Sequence, residues 1–272
     1  MHDVVPHKGS WWARRSLHEY YRSFDHLVFH SPAAREALSN VTGGPGRRHV
    51  VVPHGLYDIF DNDGGGRRDA MDRIGLGSCE SPILLMFGNI ERRKGIEEVV
   101  AAHALLKEQG HEFHVVVAGR NFTGSSSSTA AAIRSAQANP DFTVLAQRIP
   151  FDDVKYFFRS ADIVLLPYLE GSTSGVFKLA LAFGKPVVAS RVGDLASEVD
   201  DSLGVLLPER WTVADLAGAI LEVSQDRQGF AERIASVQRR YDWQTVADRV
   251  LALSGMAVDG MSRASGAGDV VK

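Results

Sequence analysis

Short apolar runs alternate with amphipathic stretches along most of the chain. Six runs, most of them rich in valine, leucine or isoleucine, cover residues 83–87, 114–118, 142–145, 163–166, 186–189 and 204–207. Between them, apolar residues recur at helical spacing in residues 96–105, 130–138, 154–159 and 176–183. Apolar strands that alternate with helices are typical of a parallel sheet with helices on both faces. Because such crossovers are right-handed, the pattern predicts a Rossmann-like α/β architecture.

The first part of the chain predicts only an incomplete second α/β domain. Residues 27–29 and 49–52 are typical of strands, and residues 33–38 are typical of a helix. Residues 61–68 are polar and rich in glycine, which is typical of a linker. From Ser262 onward the residues are small and polar, so we expect a disordered tail.

Composition and charge narrow the class of protein. The 272 residues are 44% apolar and 23% charged, as in ordinary globular proteins. Thirty basic and 33 acidic residues give a net charge of -3, which argues against a nucleic-acid partner. One cysteine, Cys79, excludes an internal disulfide and a cysteine-rich metal site. Without a signal-peptide pattern or an apolar run long enough for a membrane helix, the sequence predicts a cytoplasmic protein.

The segment after the run at 83–87 is a candidate phosphate site. It begins at Gly88 and reads Gly-Asn-Ile-Glu-Arg-Arg-Lys-Gly. A glycine after a strand lets the backbone approach a ligand closely, and Arg92, Arg93 and Lys94 add positive charge. The helix predicted to start near Gly95 adds the positive end of its dipole. The alternative is a solvated charged turn, and the spacing alone does not separate the two.

A second candidate site follows the run at 163–166. It reads Pro-Tyr-Leu-Glu-Gly-Ser-Thr-Ser-Gly and ends at Gly175. Hydroxyls and backbone N–H groups at a helix N-terminus bind anions, so Ser172, Thr173 and Ser174 are candidate phosphate ligands. Helix capping is the alternative role, but it requires only one hydroxyl. Three hydroxyls between two glycines therefore favour binding.

Several motifs together resemble a known family. They are Lys94-Gly95, Asp-Ile-Val-Leu-Leu-Pro at 162–167, Ser174-Gly175, Gly-Lys-Pro-Val-Val-Ala-Ser at 184–190, and Val192-Gly193. With them, the chain to about residue 250 resembles the donor half of a group 4 (GT4) glycosyltransferase, a retaining, metal-independent family with the GT-B fold. The resemblance implies a remnant of the acceptor domain (1–60), a linker and entry (61–80), a nucleotide-sugar-binding domain (81–240), a C-terminal crossing helix (241–255) and a disordered tail (256–272).

The resemblance also implies how the donor diphosphate is held. Lys94 matches one of the two basic residues that grip it in the family. The other is usually an arginine earlier in the turn, where this chain has Asn89 and Glu91. Arg92 or Arg93 is therefore the candidate substitute.

Two glutamates, eight residues apart, contact the donor in the family. They align here with Gly171 and Leu179. Glu170, one residue earlier, is the candidate for the first glutamate, near the sugar. The second glutamate holds the ribose and has no equivalent carboxylate here. A sub-branch of the family with Ser-Gly in this loop resembles the chain better and tolerates this loss.

His2 resembles the acceptor-domain histidine that faces the donor sugar across the cleft. It begins the sequence His-Asp-Val-Val-Pro-His, so a metal pair of His2 and His7 with Asp3 is a second interpretation. Few other ligands lie nearby to complete such a site. A surface turn is the third interpretation.

An aromatic and basic stretch follows near the N-terminus. It contains Trp11, Trp12, Arg14, Arg15, Tyr20, Tyr21 and Arg22. Such a stretch could contact a membrane surface peripherally, near a lipid-linked acceptor. The favoured alternative is a core helix, because amphipathic helices usually pack on a core.

The function implied by the resemblance is transfer of a sugar from a nucleoside diphosphate to a hydroxyl acceptor with retention. The acceptor is a glycan, a lipid-linked molecule or a small molecule, and no cofactor or metal is implied. Alternatives are a catalytically silent or split subunit, whose N-terminal domain a partner chain completes, and a GT-B epimerase that uses Glu170 and His2. A dehydrogenase is disfavoured, because no Gly-x-Gly-x-x-Gly follows a first strand.

Overall fold

The computed structural model describes residues 19–42, 48–60, 64–124, 127–171 and 174–254. The described residues form two compact units. One unit comprises Leu56–Arg239, and the other comprises residues 19–55 and 240–254.

The strands and helices follow one another as the sequence pattern predicts over most of the chain. The strands are β1 (His26–Phe29), β2 (Arg48–Val51), β3 (Ile83–Phe87), β4 (His114–Ala118), β5 (Phe142–Leu145), β6 (Ile163–Leu166), β7 (Val187–Ala189) and β8 (Gly204–Leu206). The α-helices are α1 (Pro32–Thr42), α2 (Arg67–Arg73), α3 (Ile96–Glu108), α4 (Ser128–Gln137), α5 (Val154–Ser160), α6 (Gly175–Ala182), α7 (Leu195–Glu198), α8 (Val213–Gln225), α9 (Arg227–Val237) and α10 (Trp243–Ser254). Short 3-10 helices lie at Asp58–Phe60, Arg92–Lys94, Phe151–Asp153 and Gln238–Tyr241.

A six-stranded parallel sheet forms the centre of the larger unit. Its strand order is β5-β4-β3-β6-β7-β8, and every neighbouring pair is parallel. All four residues of β6 and all three of β7 are buried, as in a sheet that helices cover on both faces. The predicted Rossmann-like α/β architecture is therefore confirmed.

The strand order reverses between β3 and β6. From β3 the chain builds β4 and β5 on one side, and it then returns to place β6 on the other side. No crossover joins two adjacent strands at this point, so a crevice is left between their carboxyl ends. Ligands of open α/β sheets bind in this crevice. Residues that follow β3 and β6 are therefore the first to consider for a binding site.

The sequence pattern differs from the structure at several helices. The sequence predicts a linker over residues 61–68, but α2 begins at Arg67 and packs against α5. Its polar surface hides the signal, because only Ala70 and Met71 of its seven residues are buried. The pattern also left α8 and α9 unassigned. The Thr212 hydroxyl accepts a hydrogen bond from Asp215 N, and the Asp215 carboxylate accepts one from Thr212 N, so that a capping box starts α8.

The smaller unit contains a two-stranded parallel sheet, β1 with β2. Both strands contact α10. The hydrophobic core of the smaller unit contains Tyr21, Leu27, Phe29 and Leu38. Of the aromatic and basic stretch, Trp11, Trp12, Arg14 and Arg15 lie outside the described residues, whereas Tyr21 is buried in this core. No helix among the described residues is long and apolar enough to cross a membrane.

Two glycines with positive φ differ in what surrounds them. Gly119, directly after β4, has φ +152°, and a Cβ added there would lie 1.8 Å from the carbonyl oxygen of Gly88. Gly110, at the end of α3, has φ +83° and nothing within 4 Å of such a Cβ. Only glycine therefore allows β3 and β4 to end so close together.

We predict that Gly119→Ala destabilises the fold much more than Gly110→Ala does. Gly110→Ala is the control substitution. It should cost about 1–2 kcal/mol, because the backbone conformation at Gly110 disfavours a side chain. Gly119→Ala adds a backbone collision, so its cost should be at least twice as large. Chemical denaturation of both variants measures the two free energies of unfolding, and equal losses would contradict the close approach.

Candidate functional site

Two loops meet at the carboxyl ends of β3 and β6. Gly88 follows β3 with φ +98°, and a Cβ added there would lie 3.5 Å from Cγ2 of Val176, in the first turn of α6. The start of α6 therefore faces the end of β3. This contact brings the two segments singled out in the sequence to one place.

The basic turn is attached to the segment that follows β6. Arg92–Lys94 forms a 3-10 turn that ends at Gly95, whose φ of +76° is left-handed. A Cβ at Gly95 would lie 2.2 Å from the carbonyl oxygen of Pro167, so the two backbones touch. In addition, the backbone N–H of Leu169 donates to the carbonyl oxygen of Arg93 at 2.8 Å. These two contacts fix the position of the turn that carries Arg92, Arg93 and Lys94.

Both arginines of this turn are paired with carboxylates. Arg93 Nε lies 2.6 Å from Glu91 Oε2. Arg92 lies 3.3 Å from Glu97 and 3.0 Å from Glu98, both in the first turn of α3. The positive charges of the two arginines are therefore largely compensated within the turn and the helix that follows it.

Lys94 differs from its two neighbours. Its Nζ lies 3.5 Å from the centroid of the Tyr168 ring, within the range of a cation–π contact. The residue is half-buried, and among the described residues it forms no ion pair with a carboxylate. Burial, and to a lesser extent the charge of Arg93, lowers the pKa of Lys94 to about 8, against an opposing effect of Glu91. An ammonium in this position would gain from an anionic ligand.

The start of α6 forms the opposite side of the site. Ser174 is its N-cap, and its buried hydroxyl accepts a hydrogen bond from Phe177 N at 3.3 Å. The hydroxyl of Tyr168 lies 3.3 Å from the same Ser174 oxygen. Burial raises the pKa of Tyr168 to about 12, so its hydroxyl is neutral at physiological pH. Gly175 is the first residue of the helix, and its N–H belongs to the unpaired donors of a helix N-terminus.

A small cavity lies at the carboxyl end of β3, beside Lys94 and Tyr168. Gly88, Asn89, Lys94 and Tyr168 are among the residues that line it. A positive side chain and a helix N-terminus that converge on a crevice of this kind can hold a phosphate or a diphosphate. The structure thus brings together Gly88 and Lys94, and it places Ser174 and Gly175 beside Tyr168.

The remaining residues predicted from the sequence differ in their exposure and in whether the structure describes them. Glu170 is exposed in the turn after β6, so its carboxylate is accessible. Leu179, at the position of the family's second glutamate, is buried and offers no oxygen to a ribose. His2, Ser172 and Thr173 lie outside the described residues.

Tyr168 is the site residue that the sequence analysis missed. It belongs to the second candidate segment, in which the hydroxyl residues and the glutamate are the predicted ligands. A large aromatic residue directly after a buried strand, at the carboxyl edge of the sheet, was the available signal.

A metal site is the alternative interpretation of the histidines near the N-terminus. Within the part of the chain that the structure describes, no group of three or more His, Cys, Asp or Glu side chains could hold a metal ion. The proposed metal pair of His2, His7 and Asp3 lies outside that part.

Solved structures of two other proteins have a fold similar to that of this chain. The structure of HepE from Anabaena in complex with UDP superposes with a TM-score of 0.77 at 18% identity and covers 94% of this chain and 71% of that one. Sucrose-phosphate synthase from Thermosynechococcus elongatus has a TM-score of 0.69 at 21% identity, covering 91% of this chain and 62% of that one. The predicted GT-B likeness is confirmed at the level of the fold.

Sequence comparison gives the family. D-inositol 3-phosphate glycosyltransferase from Xylanimonas cellulosilytica is 30% identical over 249 residues, which cover 86% of this chain and 57% of the relative. The chain spans about half the length of the curated relatives it matches. A family model described as "Glycosyl transferases group 1" matches residues 81–226, which is more than half of the chain. The chain therefore belongs to the group 1 family of glycosyl transferases.

Proposed function

We propose that the chain binds a nucleoside-diphosphate sugar in the crevice between β3 and β6 and takes part in transferring its sugar to a hydroxyl acceptor. One observation carries the proposal. Lys94 is half-buried at this crevice and is not paired with a carboxylate among the described residues. Membership in the glycosyl transferase family supports a sugar nucleotide as the source of the anionic group.

The proposed chemistry follows from the charge that develops on the leaving group. When the bond between sugar and diphosphate breaks, negative charge builds up on the phosphate oxygens. The Lys94 ammonium and the N–H groups at the start of α6 would stabilise that charge. The leaving phosphate would accept the proton of the acceptor hydroxyl, so the described residues need supply no general base. The reaction would retain the anomeric configuration and require no metal.

A neighbouring surface cleft offers room for the nucleoside. It lies beside the basic turn and is lined by Arg93, Phe122 and Thr129 among others. Phe122 is exposed, and the Arg120 guanidinium lies 4.8 Å from its ring centroid. The solved structures of HepE hold UDP or UDP-glucose. UDP is therefore the first nucleotide to test.

Glu170 and His2 are the residues proposed to contact the sugar. Glu170 is exposed next to the site and would contact the donor sugar. His2 would contact the sugar from the acceptor side. The curated relatives are named D-inositol 3-phosphate glycosyltransferases, so D-inositol 3-phosphate is the first acceptor to test, before glycans and lipid-linked acceptors.

A second candidate function is a nucleotide-binding subunit that acts only with a partner chain. The observation in its favour is Leu179, which is buried where the resemblance places a ribose-binding glutamate. Transfer activity separates the two functions. Nucleotide binding without transfer by the purified chain would favour the subunit.

We predict that the purified chain binds UDP in the presence of a metal chelator. The site supplies the positive charge from Lys94 and from a helix N-terminus, so added Mg²⁺ should change the affinity little. Isothermal calorimetry with UDP, GDP and ADP, with and without Mg²⁺, also identifies the preferred base. A folded protein that binds none of the three would contradict the proposed function.

We predict that Lys94→Met weakens UDP binding at least tenfold, whereas Lys107→Met leaves it unchanged. Hydrogen bonds to charged groups contribute about 1.5–3 kcal/mol, which corresponds to a loss of tenfold or more. Lys107 is an exposed lysine of α3 that pairs with Asp141, away from the crevice. It is the matched control for the loss of one positive charge. Equal affinity of both variants would show that Lys94 is not a ligand.

The same substitution should stabilise the protein. The pKa of Lys94 is about 8 in the folded state, below its ordinary value of 10.5, because burial disfavours the charged form. Below pH 8 the fold therefore carries the full cost of a buried charge, and the cost falls as pH rises from 8 to 10.5. We expect Lys94→Met to exceed the wild type in free energy of unfolding by about 1–3 kcal/mol at pH 7.

Denaturation of both proteins from pH 7 to pH 10.5 measures this difference, which should shrink over that interval. Lys107→Met should change the free energy of unfolding by less than about 1 kcal/mol, as is usual for an exposed ion pair. A Lys94→Met variant less stable than the wild type would contradict the claim that burial of the Lys94 charge destabilises the fold.

A further inference from the structure

Tyr168 contacts both sides of the crevice with a single side chain. Its ring face carries the Lys94 ammonium at 3.5 Å from the centroid, and its hydroxyl lies 3.3 Å from the Ser174 oxygen. Lys94 belongs to the turn before α3, whereas Ser174 caps α6. These two residues are far apart along the chain, and Tyr168 lies between their side chains.

The tyrosine itself is held firmly. It is 4% exposed, and its backbone N–H donates to Leu166 O at 2.8 Å. The Ser190 hydroxyl, which is also buried, donates to the carbonyl oxygen of Tyr168. The hydrogen bonds at the ends of β6 and β7 therefore hold the backbone of Tyr168, and burial restricts its side chain.

We infer that Tyr168 is a positioning residue that sets the Lys94 ammonium and the Ser174 N-cap at a separation suited to a diphosphate. Its ring attracts the ammonium through the negative face of the π system and keeps it out of an alternative pairing with Glu91. Its hydroxyl orients the Ser174 oxygen, and with it the first N–H groups of α6. This inference rests on the proposed function, since it concerns how the donor site is assembled.

Two substitutions separate the roles of the ring and the hydroxyl. Tyr168→Phe keeps the ring and removes the hydroxyl contact with Ser174. Tyr168→Leu removes both and also reduces the packed volume. Phe113→Leu is the matched control for that volume loss, because Phe113 is equally buried but lies at the opposite, amino-terminal end of β4.

The expected affinities for UDP follow from the contacts that each variant loses. Tyr168→Phe should bind about threefold more weakly, because one neutral hydrogen bond is lost. Tyr168→Leu should bind tenfold or more weakly, because the cation–π contact is lost as well. Phe113→Leu should bind as the wild type does, although it is less stable. Calorimetry at pH 7 on the folded full chain measures all four proteins.

A nuclear magnetic resonance signal tests the same inference without any nucleotide. The chain has seven lysines, and labelled lysine gives one side-chain signal for each, with Lys94→Met to assign the signal of interest. The ring of Tyr168 should shift the signals of the Lys94 side chain upfield of the other lysines. Tyr168→Phe should retain that shift and the low pKa midpoint, and Tyr168→Leu should lose the shift.

The two experiments distinguish failure of this inference from failure of the proposed function. If the wild type binds no nucleotide, the proposed function is wrong, and the lysine signal still decides whether Tyr168 positions Lys94. If the wild type binds UDP but Tyr168→Leu keeps its affinity or its upfield lysine signal, the positioning role of Tyr168 is wrong.

Discussion

From β3 the chain builds two strands on one side of the sheet and then crosses back to build β6 on the other side. This reversal leaves a crevice between two buried parallel strands, and everything proposed for the site depends on it. Gly88 directly follows β3, and Pro167 directly follows β6. Because the sheet fixes the positions of both strand ends, the basic turn and the start of α6 lie next to each other at this edge.

The crevice concentrates positive potential at a cost in stability. Arg92 and Arg93 are compensated by glutamates, but Lys94 lies on an aromatic ring with its charge partly removed from water. The pKa of Lys94 is lowered to about 8, because burial disfavours the charged form of its side chain. Functional sites commonly retain such unfavourable charges, because a bound ligand of opposite charge compensates them. The proposed donor diphosphate would therefore explain why Lys94 has no carboxylate partner among the described residues.

Most of the larger unit could be predicted from the sequence. Runs of valine, isoleucine and leucine mark buried parallel strands clearly, and the bounds of β3, β4, β5 and β6 agree with the structure to the residue. The pattern extended β7 to Pro186, which lacks an N–H to donate to the ladder, although its carbonyl oxygen accepts from Val164. The helix α2 was missed because its seven residues expose most of their polar side chains, so no apolar period is visible.

The sequence places the two candidate segments at one edge of the sheet, but it does not give the contacts between them. Glycines and basic residues after strands indicate the crevice, since parallel strands end at one edge of a sheet. The sequence does not show that Arg92 pairs with Glu98 while Lys94 does not, because that depends on the turn geometry around Gly95. The position of Tyr168 between Lys94 and Ser174 likewise depends on how β3 and β6 lie side by side.

The central claim is that an anionic ligand compensates the buried charge of Lys94, and proton uptake on binding tests it most directly. At pH 8.5 most Lys94 side chains are neutral, since their pKa is about 8. Calorimetric titration of UDP in buffers with different ionisation enthalpies counts the protons taken up. The account predicts a net uptake of up to about 0.75 proton per nucleotide, which is the neutral fraction of Lys94 at this pH, and the loss of this uptake in Lys94→Met. Binding of UDP at pH 8.5 without proton uptake would contradict the account.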